Sequence, residues 1–282
     1  MNDRHDNEAF ARLIVAIEPW LAEVVIVGGW AHQLYRLHPS AQTLDYVPLM
    51  TLDTDVAVPA RFSVRGEDMR ERLLANGFSE ERFGDDTPPV THYRLLEART
   101  GFYAEFLTPL KRGEYHRRGV RKATLRIAGV ASQQLRHLEI LLQAPWKVDL
   151  DESKGFPLTG RKTVQVANPS AFLAHKVLVH QKRRHPRFAK DILYIHDTLE
   201  TFGARLDDLR HDWQEQVRPR LHKRAVDTIE LGATELFGKV NDSVCNAAGM
   251  TGDRRLTPEG IREACHFGLE QVFESKREPA VV

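Results

Sequence analysis

The chain has 282 residues, 42% of them hydrophobic, enough for one large or two modest cores, which marks a folded globular protein. Lysine and arginine number 40 against 39 acidic residues, a balance that excludes strong whole-chain attraction to nucleic acid or anionic membrane. Cys245 and Cys265 lack C-x-x-C spacing, which excludes a disulfide framework and a cysteine zinc site and fits a reducing cytoplasm.

The start, Met1 to Asn7, is polar where a secretory leader needs an apolar run. The stretch Leu13 to Ala31 is interrupted by Glu18, Pro19, Glu23, Gly28 and Gly29, so no membrane span is expected and the protein is placed in the cytoplasm. Ala9 to Leu21 has helical spacing, and Val24 to Val27 is a short β-branched strand closed by two glycines. Trp30 to Leu37 is predicted as a short helix ended by Pro39. Met50 to Val58 reads as a strand, Glu67 to Ala75 as a helix stopped by Gly77, and His92 to Leu96 with Phe102 to Leu107 as a strand pair joined across Gly101. A basic connector runs from Lys111 to Lys122. A short helix is predicted around Leu135, Leu138, Leu141 and Leu142, then strands at Trp146 to Leu150 and Thr163 to Ala167. From Asn168, which can cap a helix starting at Pro169, nearly every segment is helical, and Thr257 with Pro258 repeats the device. The expected division is a mixed α/β domain over 1–167 and a helical domain over 168–282.

The pattern that carries chemistry is Asp53 and Asp55. Two apart in a strand, their side chains share one face. Two carboxylates in one small volume favour a neutralising cation, and oxygen-only donors suit a hard divalent ion such as magnesium. The alternative is a solvated strand face. Upstream, Val25-Ile26-Val27-Gly28-Gly29-Trp30-Ala31 is a buried strand whose glycine pair opens a helix. Glycine permits close backbone approach, and the N–H groups and positive dipole end of a helix start form a phosphate site.

On these residues the chain resembles the polymerase-β-type nucleotidyltransferase superfamily, whose signature is a glycine turn, a D-x-D strand and a third acidic residue on a neighbouring strand. The third position corresponds to Glu105, in Tyr103-Ala104-Glu105-Phe106-Leu107. With Val130 to Leu142, Val164 to Val166 and the run from Pro169 to Asp191, the chain resembles a bacterial branch related to abortive-infection and toxin-type nucleotidyltransferases. Ser40 to Pro48 is then an inserted loop between the glycine turn and the D-x-D strand. The resemblance implies an α/β (α+β) nucleotidyltransferase-fold mixed sheet with flanking helices, followed by a C-terminal helical domain. It implies nucleoside triphosphate binding, with ATP among the candidates, and two magnesium ions, or manganese in their place, on Asp53, Asp55 and Glu105. A nucleoside monophosphate would pass to an acceptor hydroxyl with release of pyrophosphate.

Lys176 lies in the apolar stripe with Phe172, Leu173 and Val179. It either snorkels to water or, as the resemblance implies, binds the β- or γ-phosphate. His180 and Arg184 follow at four-residue steps, and Lys190 with Asp191 would finish the clamp, although Asp191 also suits a helix start. The 13 histidines show no H-x-x-x-H pair, and no G-x-S-x-G or Walker-type G-x-x-x-x-G-K is present. The acceptor is an RNA such as a tRNA 3′ end, a protein hydroxyl or a small molecule; local basic clusters and the toxin resemblance favour RNA. A non-catalytic nucleotide-binding or protein-interaction module that kept the fold is the alternative of a different class.

Overall fold

The computed structural model describes residues 3–46, 49, 51–62, 66–84, 88–98, 101–110, 123–180, 187–252 and 254–274. They form two compact units, one of Met1–His38 with Met50–Ala167 and one of Pro39–Leu49 with Asn168–Val282. The segment expected as an insertion in the first domain therefore groups with the helical unit. The reason is a set of long-range bonds: the Gln42 backbone N–H donates to the Thr201 carbonyl at 2.9 Å, and its side chain to the Glu200 carbonyl at 2.6 Å.

In the first unit, α1 (Asp3–Ala16) leads through a 3-10 turn (Glu18–Trp20) into β1 (Val25–Val27), α2 (Gly28–Tyr35), β2 (Asp53–Ala57) and α3 (Met69–Ala75). β3 (Phe78–Phe83), β4 (Val90–Leu95), β5 (Tyr103–Pro109), β6 (Thr124–Ile127) and β7 (Val130–Leu135) follow, then α4 (Leu138–Leu141), β8 (Trp146–Leu150) and β9 (Lys162–Val166). The strands form one mixed sheet in the order β3-β4-β5-β2-β1-β9-β8, with β7 on β5 and β6 on β7. β1 is antiparallel to β2, whereas β2 and β5 run parallel. Along the start of β5 its outer neighbour is β4, and from Phe106 onward it is β7.

Three strands differ from expectation. β3 reads Phe-Ser-Glu-Glu-Arg-Phe, with charge on both faces, so no apolar alternation betrays it. β6 and β7 form a hairpin around Ala128 and Gly129, both with positive φ, a turn that pairs two strands and leaves only Leu138 to Leu141 helical.

One face of the sheet is core. Phe10 of α1 stacks on Trp30 of α2 at 4.0 Å, and Trp30 meets Phe102 edge-on at 6.1 Å. Such aromatic pairs contribute about 0.5–1.5 kcal/mol each beyond their burial. Tyr35 at the end of α2 donates to the Ala167 carbonyl at 2.8 Å, fixing α2 beside β9. These contacts hold the glycine turn still.

The second unit is helical: α5 (Pro169–Val179), α6 (Arg187–Thr201), α7 (Leu206–Asp212), α8 (Lys223–Leu236), α9 (Asp242–Gly249) and α10 (Pro258–Phe273). Asn168 caps α5 as predicted, its Oδ1 accepting from Ser170 N at 2.9 Å, while its amide donates to Asp212 at 2.7 Å. Thr257 caps α10 through Gly260 N at 3.1 Å. Glycine permits close crossings: a Cβ at Gly232 would come within 2.8 Å of Val177, and one at Gly268 within 2.8 Å of Leu199.

Candidate active site

β1 stops at Val27 because the chain turns there into α2. Register pairs Val27 with Asp55, so Gly28 opens the helix directly beside the Asp55 side chain. Gly28 has φ +64°, in the left-handed region that favours glycine, and a Cβ there would collide with Oδ2 of Asp55. Glycine is thus required both by backbone angle and by the carboxylate pressed against it. The N-cap residue of α2, Val27, makes no side-chain cap bond, and the positive end of the helix dipole faces the Asp55 carboxylate.

The parallel pairing of β2 with β5 sets Asp53 opposite Tyr103 and Asp55 opposite Glu105. Antiparallel pairing of β5 with β4 then sets Glu105 opposite His92. Paired residues share a face, so Asp53, Asp55, Tyr103, Glu105 and His92 all rise from the side of the sheet opposite the core. This face is half-buried, while Thr54, Val56, Ala104 and Phe106 between them are buried. The Thr51 hydroxyl donates to Asp53 Oδ1. Glu105 is held from two sides, by His92 Nε2 at 2.8 Å and by the Gln133 amide, which donates at 3.2 Å. Burial first, then the charges of Asp53, Glu105 and Asp55, push the Tyr103 phenol up to about 12. Tyr103 keeps its proton at neutral pH and feels all three carboxylates.

The oxygen donors of Asp53 and Asp55 fit a hard divalent cation, and Gly28 leaves the Asp55 carboxylate room at the helix start. Among the described residues, however, no group of three or more His, Cys, Asp or Glu side chains is placed to hold a metal ion. Glu105 meets His92 and Gln133 through its carboxylate oxygens. Asp53, Asp55 and Glu105 stand side by side on adjoining strands.

In the helical unit, Lys176 does not snorkel. It is 5% exposed, its Nζ lies 2.5 Å from Asp191 Oδ1, and it stands 5.1 Å and 4.8 Å from the ring centroids of Phe172 and Tyr194. The cause is simple: α6 supplies a carboxylate and an aromatic ring, so the ammonium does not reach water. Lys190 lies over Tyr194 at 5.6 Å. Arg184 and the connector Lys111 to Lys122 fall outside the described residues. His92, Tyr103 and Gln133 were not singled out from sequence; the available signal was spacing, since Tyr103 precedes Glu105 by two as Asp53 precedes Asp55.

A mixed sheet with flanking helices, a glycine turn at a helix start and an adjoining D-x-D strand define the nucleotidyltransferase class. A nucleotidyltransferase family profile matches residues 5–218, well over half of the chain, and the chain belongs to that family. No curated protein matches it significantly. Among solved structures, an antigenic nucleotidyltransferase-like protein from Paracoccidioides brasiliensis is similar at 15% identity and TM-score 0.35, covering 74% of this chain and 90% of that one. MenT4, a nucleotidyltransferase toxin from Mycobacterium tuberculosis H37Rv, is similar at 14% identity and TM-score 0.39, covering 96% and 84%. Among the described residues, no helix is long and apolar enough to cross a membrane.

Proposed function

We propose that this nucleotidyltransferase moves a nucleoside monophosphate from a nucleoside triphosphate to an acceptor hydroxyl, with pyrophosphate leaving, and that the acceptor is RNA. The observation that carries this reading is the register Val27–Asp55–Glu105, which sets the phosphate-binding turn of Gly28 and Gly29 against the paired carboxylates. Asp53 and Asp55 would hold magnesium, with Glu105 and its partners His92 and Gln133 beside them. When bound, the cation supplies charge compensation for the attacking and leaving oxygens. The chain's own work is positioning: the turn orients the triphosphate, Thr51 fixes Asp53, and the packed α2 keeps the turn rigid. Lys176 is assigned to the junction of α5 and α6 rather than to phosphate, because its ammonium already lies against Asp191. A toxin or abortive-infection role follows from the sequence resemblance and is part of the same proposal.

The test is to incubate purified protein with magnesium, each of four α-labelled nucleoside triphosphates and total bacterial RNA, following label into RNA, protein and pyrophosphate. Wild type should label RNA. Asp53→Asn and Asp55→Asn should remain folded and lose at least about a hundredfold in rate, as when a principal electrostatic stabiliser is removed. Full turnover by either variant would refute the assignment. The engagement of Glu105 by His92 and Gln133 favours a second reading, a nucleotide-binding module without catalysis. It predicts magnesium-dependent nucleotide binding with no pyrophosphate released.

A further inference from the structure

Across the same sheet face, beyond the carboxylates, runs a row of rings. Phe83 of β3 lies 4.4 Å from His92 of β4, and His92 stacks on Tyr103 of β5 at 4.7 Å with the planes 13° apart. Glu81 is paired with His92 and Ser79 with Arg94, so Phe83, two beyond Glu81, points to this face as well. The row is fastened. Glu105 holds His92, and Arg94 lies 5.7 Å over Tyr103 while bound to Glu81 at 2.6 Å and to the Gly101 carbonyl at 3.2 Å. At its outer end Phe83 is 44% exposed on an edge strand, although the core lies on the opposite face.

We propose that Phe83, His92 and Tyr103 form the acceptor subsite, on which an unpaired terminal base of a single-stranded RNA extends the ring stack. This rests on the transfer reading above. Three observations select the occupant. In the sheet order β2 stands between β1, which carries the glycine turn, and β5, β4 and β3, which carry the rings. In-line transfer puts the attacking oxygen opposite the leaving pyrophosphate, so a triphosphate on the β1 side brings the acceptor from the ring side. Planar side chains backed by a guanidinium recognise a nucleobase by its π face, and the neighbouring Glu81, Glu105 and Asp53 disfavour phosphates there, so the base rather than the backbone makes the contact. A protein hydroxyl or a small aliphatic acceptor has no use for such a row.

The experiment uses the full chain and a short single-stranded oligoribonucleotide ending in 2-aminopurine, whose fluorescence falls on stacking. Wild type should quench the terminal probe more than the same probe placed internally. Phe83→Ala should weaken this binding roughly five- to a hundredfold, the effect of removing one stacking partner, and Phe83→Tyr should restore it. Because Phe83 is half-exposed, the thermal midpoint of Phe83→Ala should match wild type. In turnover with natural RNA, the variant should raise KM for RNA more than it lowers kcat, with nucleotide binding unaltered. Quenching that is absent in wild type, or equal in Phe83→Ala, overturns the subsite, as does transfer of label to protein alone. Failure of pyrophosphate release by wild type refutes the transfer reading instead, which the binding measurement does not depend on.

Discussion

The two units treat charge in opposite ways. On the sheet face of the first, Asp53, Asp55 and Glu105 are half-buried and gathered like to like, with His92 against Glu105. In the second, each buried acid of the helical packing has its cation. Lys176 meets Asp191, and Asp197, fully buried, takes the two terminal guanidinium nitrogens of Arg254, the Tyr46 hydroxyl at 3.2 Å and His196 at 2.9 Å. Arg254 also lies 3.6 Å over the Tyr46 ring, which ties the 39–49 segment to its own unit. Opposite charges paired in a dry setting hold helices in register; like charges gathered at a surface raise the local energy until a cation or substrate arrives. The difference separates acids that hold the packing from those the proposed transfer would use.

The sharpest way to break this contrast is at the point where backbone and carboxylate meet. Gly28→Ala puts a Cβ into the Asp55 carboxylate at a φ of +64°. Asp55 must move or the turn must open, so transfer should fall by at least about a hundredfold, in the range of losing an oxyanion-type contact. The strain on folding is limited to roughly 1–3 kcal/mol. A rate assay beside a thermal melt separates the two; a Gly28→Ala variant with wild-type rate would remove the site from this turn.

The helical unit should answer the reverse way. Lys176→Met leaves Asp191 buried without its cation and should cost about 3–5 kcal/mol of stability, whereas a double replacement with Asp191→Leu should recover most of it. Denaturant unfolding of the two variants decides it. A lone Lys176→Met protein as stable as wild type, but weak in nucleotide binding, would return Lys176 to the phosphates.

These contrasts were only partly legible beforehand. The strand closed by Gly28 and the alternation of Asp53 and Asp55 are local, and local period and turn chemistry carried them into β1, α2 and β2. The caps at Asn168 and Thr257 were legible for the same reason. What sequence could not supply was register. That Glu105 stands beside Asp55 depends on a parallel pairing of strands far apart in the chain, and that it stands beside His92 depends on the exact register of the predicted β4–β5 pair. β3 escaped because its inward charge, Glu80, is satisfied by Arg70 of α3 and Tyr93 of β4 as well as by Arg82, and the partner of Lys176 escaped because it lies on another helix.

Glu80 supplies the finest test, because it belongs to the same strand as the ring row but faces the other side. Arg70 bonds it at 2.6 Å and 2.9 Å, Arg82 at 3.0 Å and the Tyr93 hydroxyl at 3.2 Å. The Arg70 hydrogen bonds, opposed by burial and aided by Arg82, hold the carboxyl below its usual range. A carboxyl depressed in the folded state binds its proton more readily when unfolded. Its stabilisation is therefore complete above the unfolded value, near 4.5, and is lost as pH falls through the lower folded value. Glu80→Gln should lower stability at neutral pH by at most about 1 kcal/mol given the exposed Arg82, with a slightly lower thermal midpoint, and should flatten the acid limb of the midpoint against pH. If the acid limb of Glu80→Gln kept the wild-type slope, the paired acid on the inner face would contribute no pH-dependent stability, and the contrast between architectural and chemical carboxylates would fail within this one sheet.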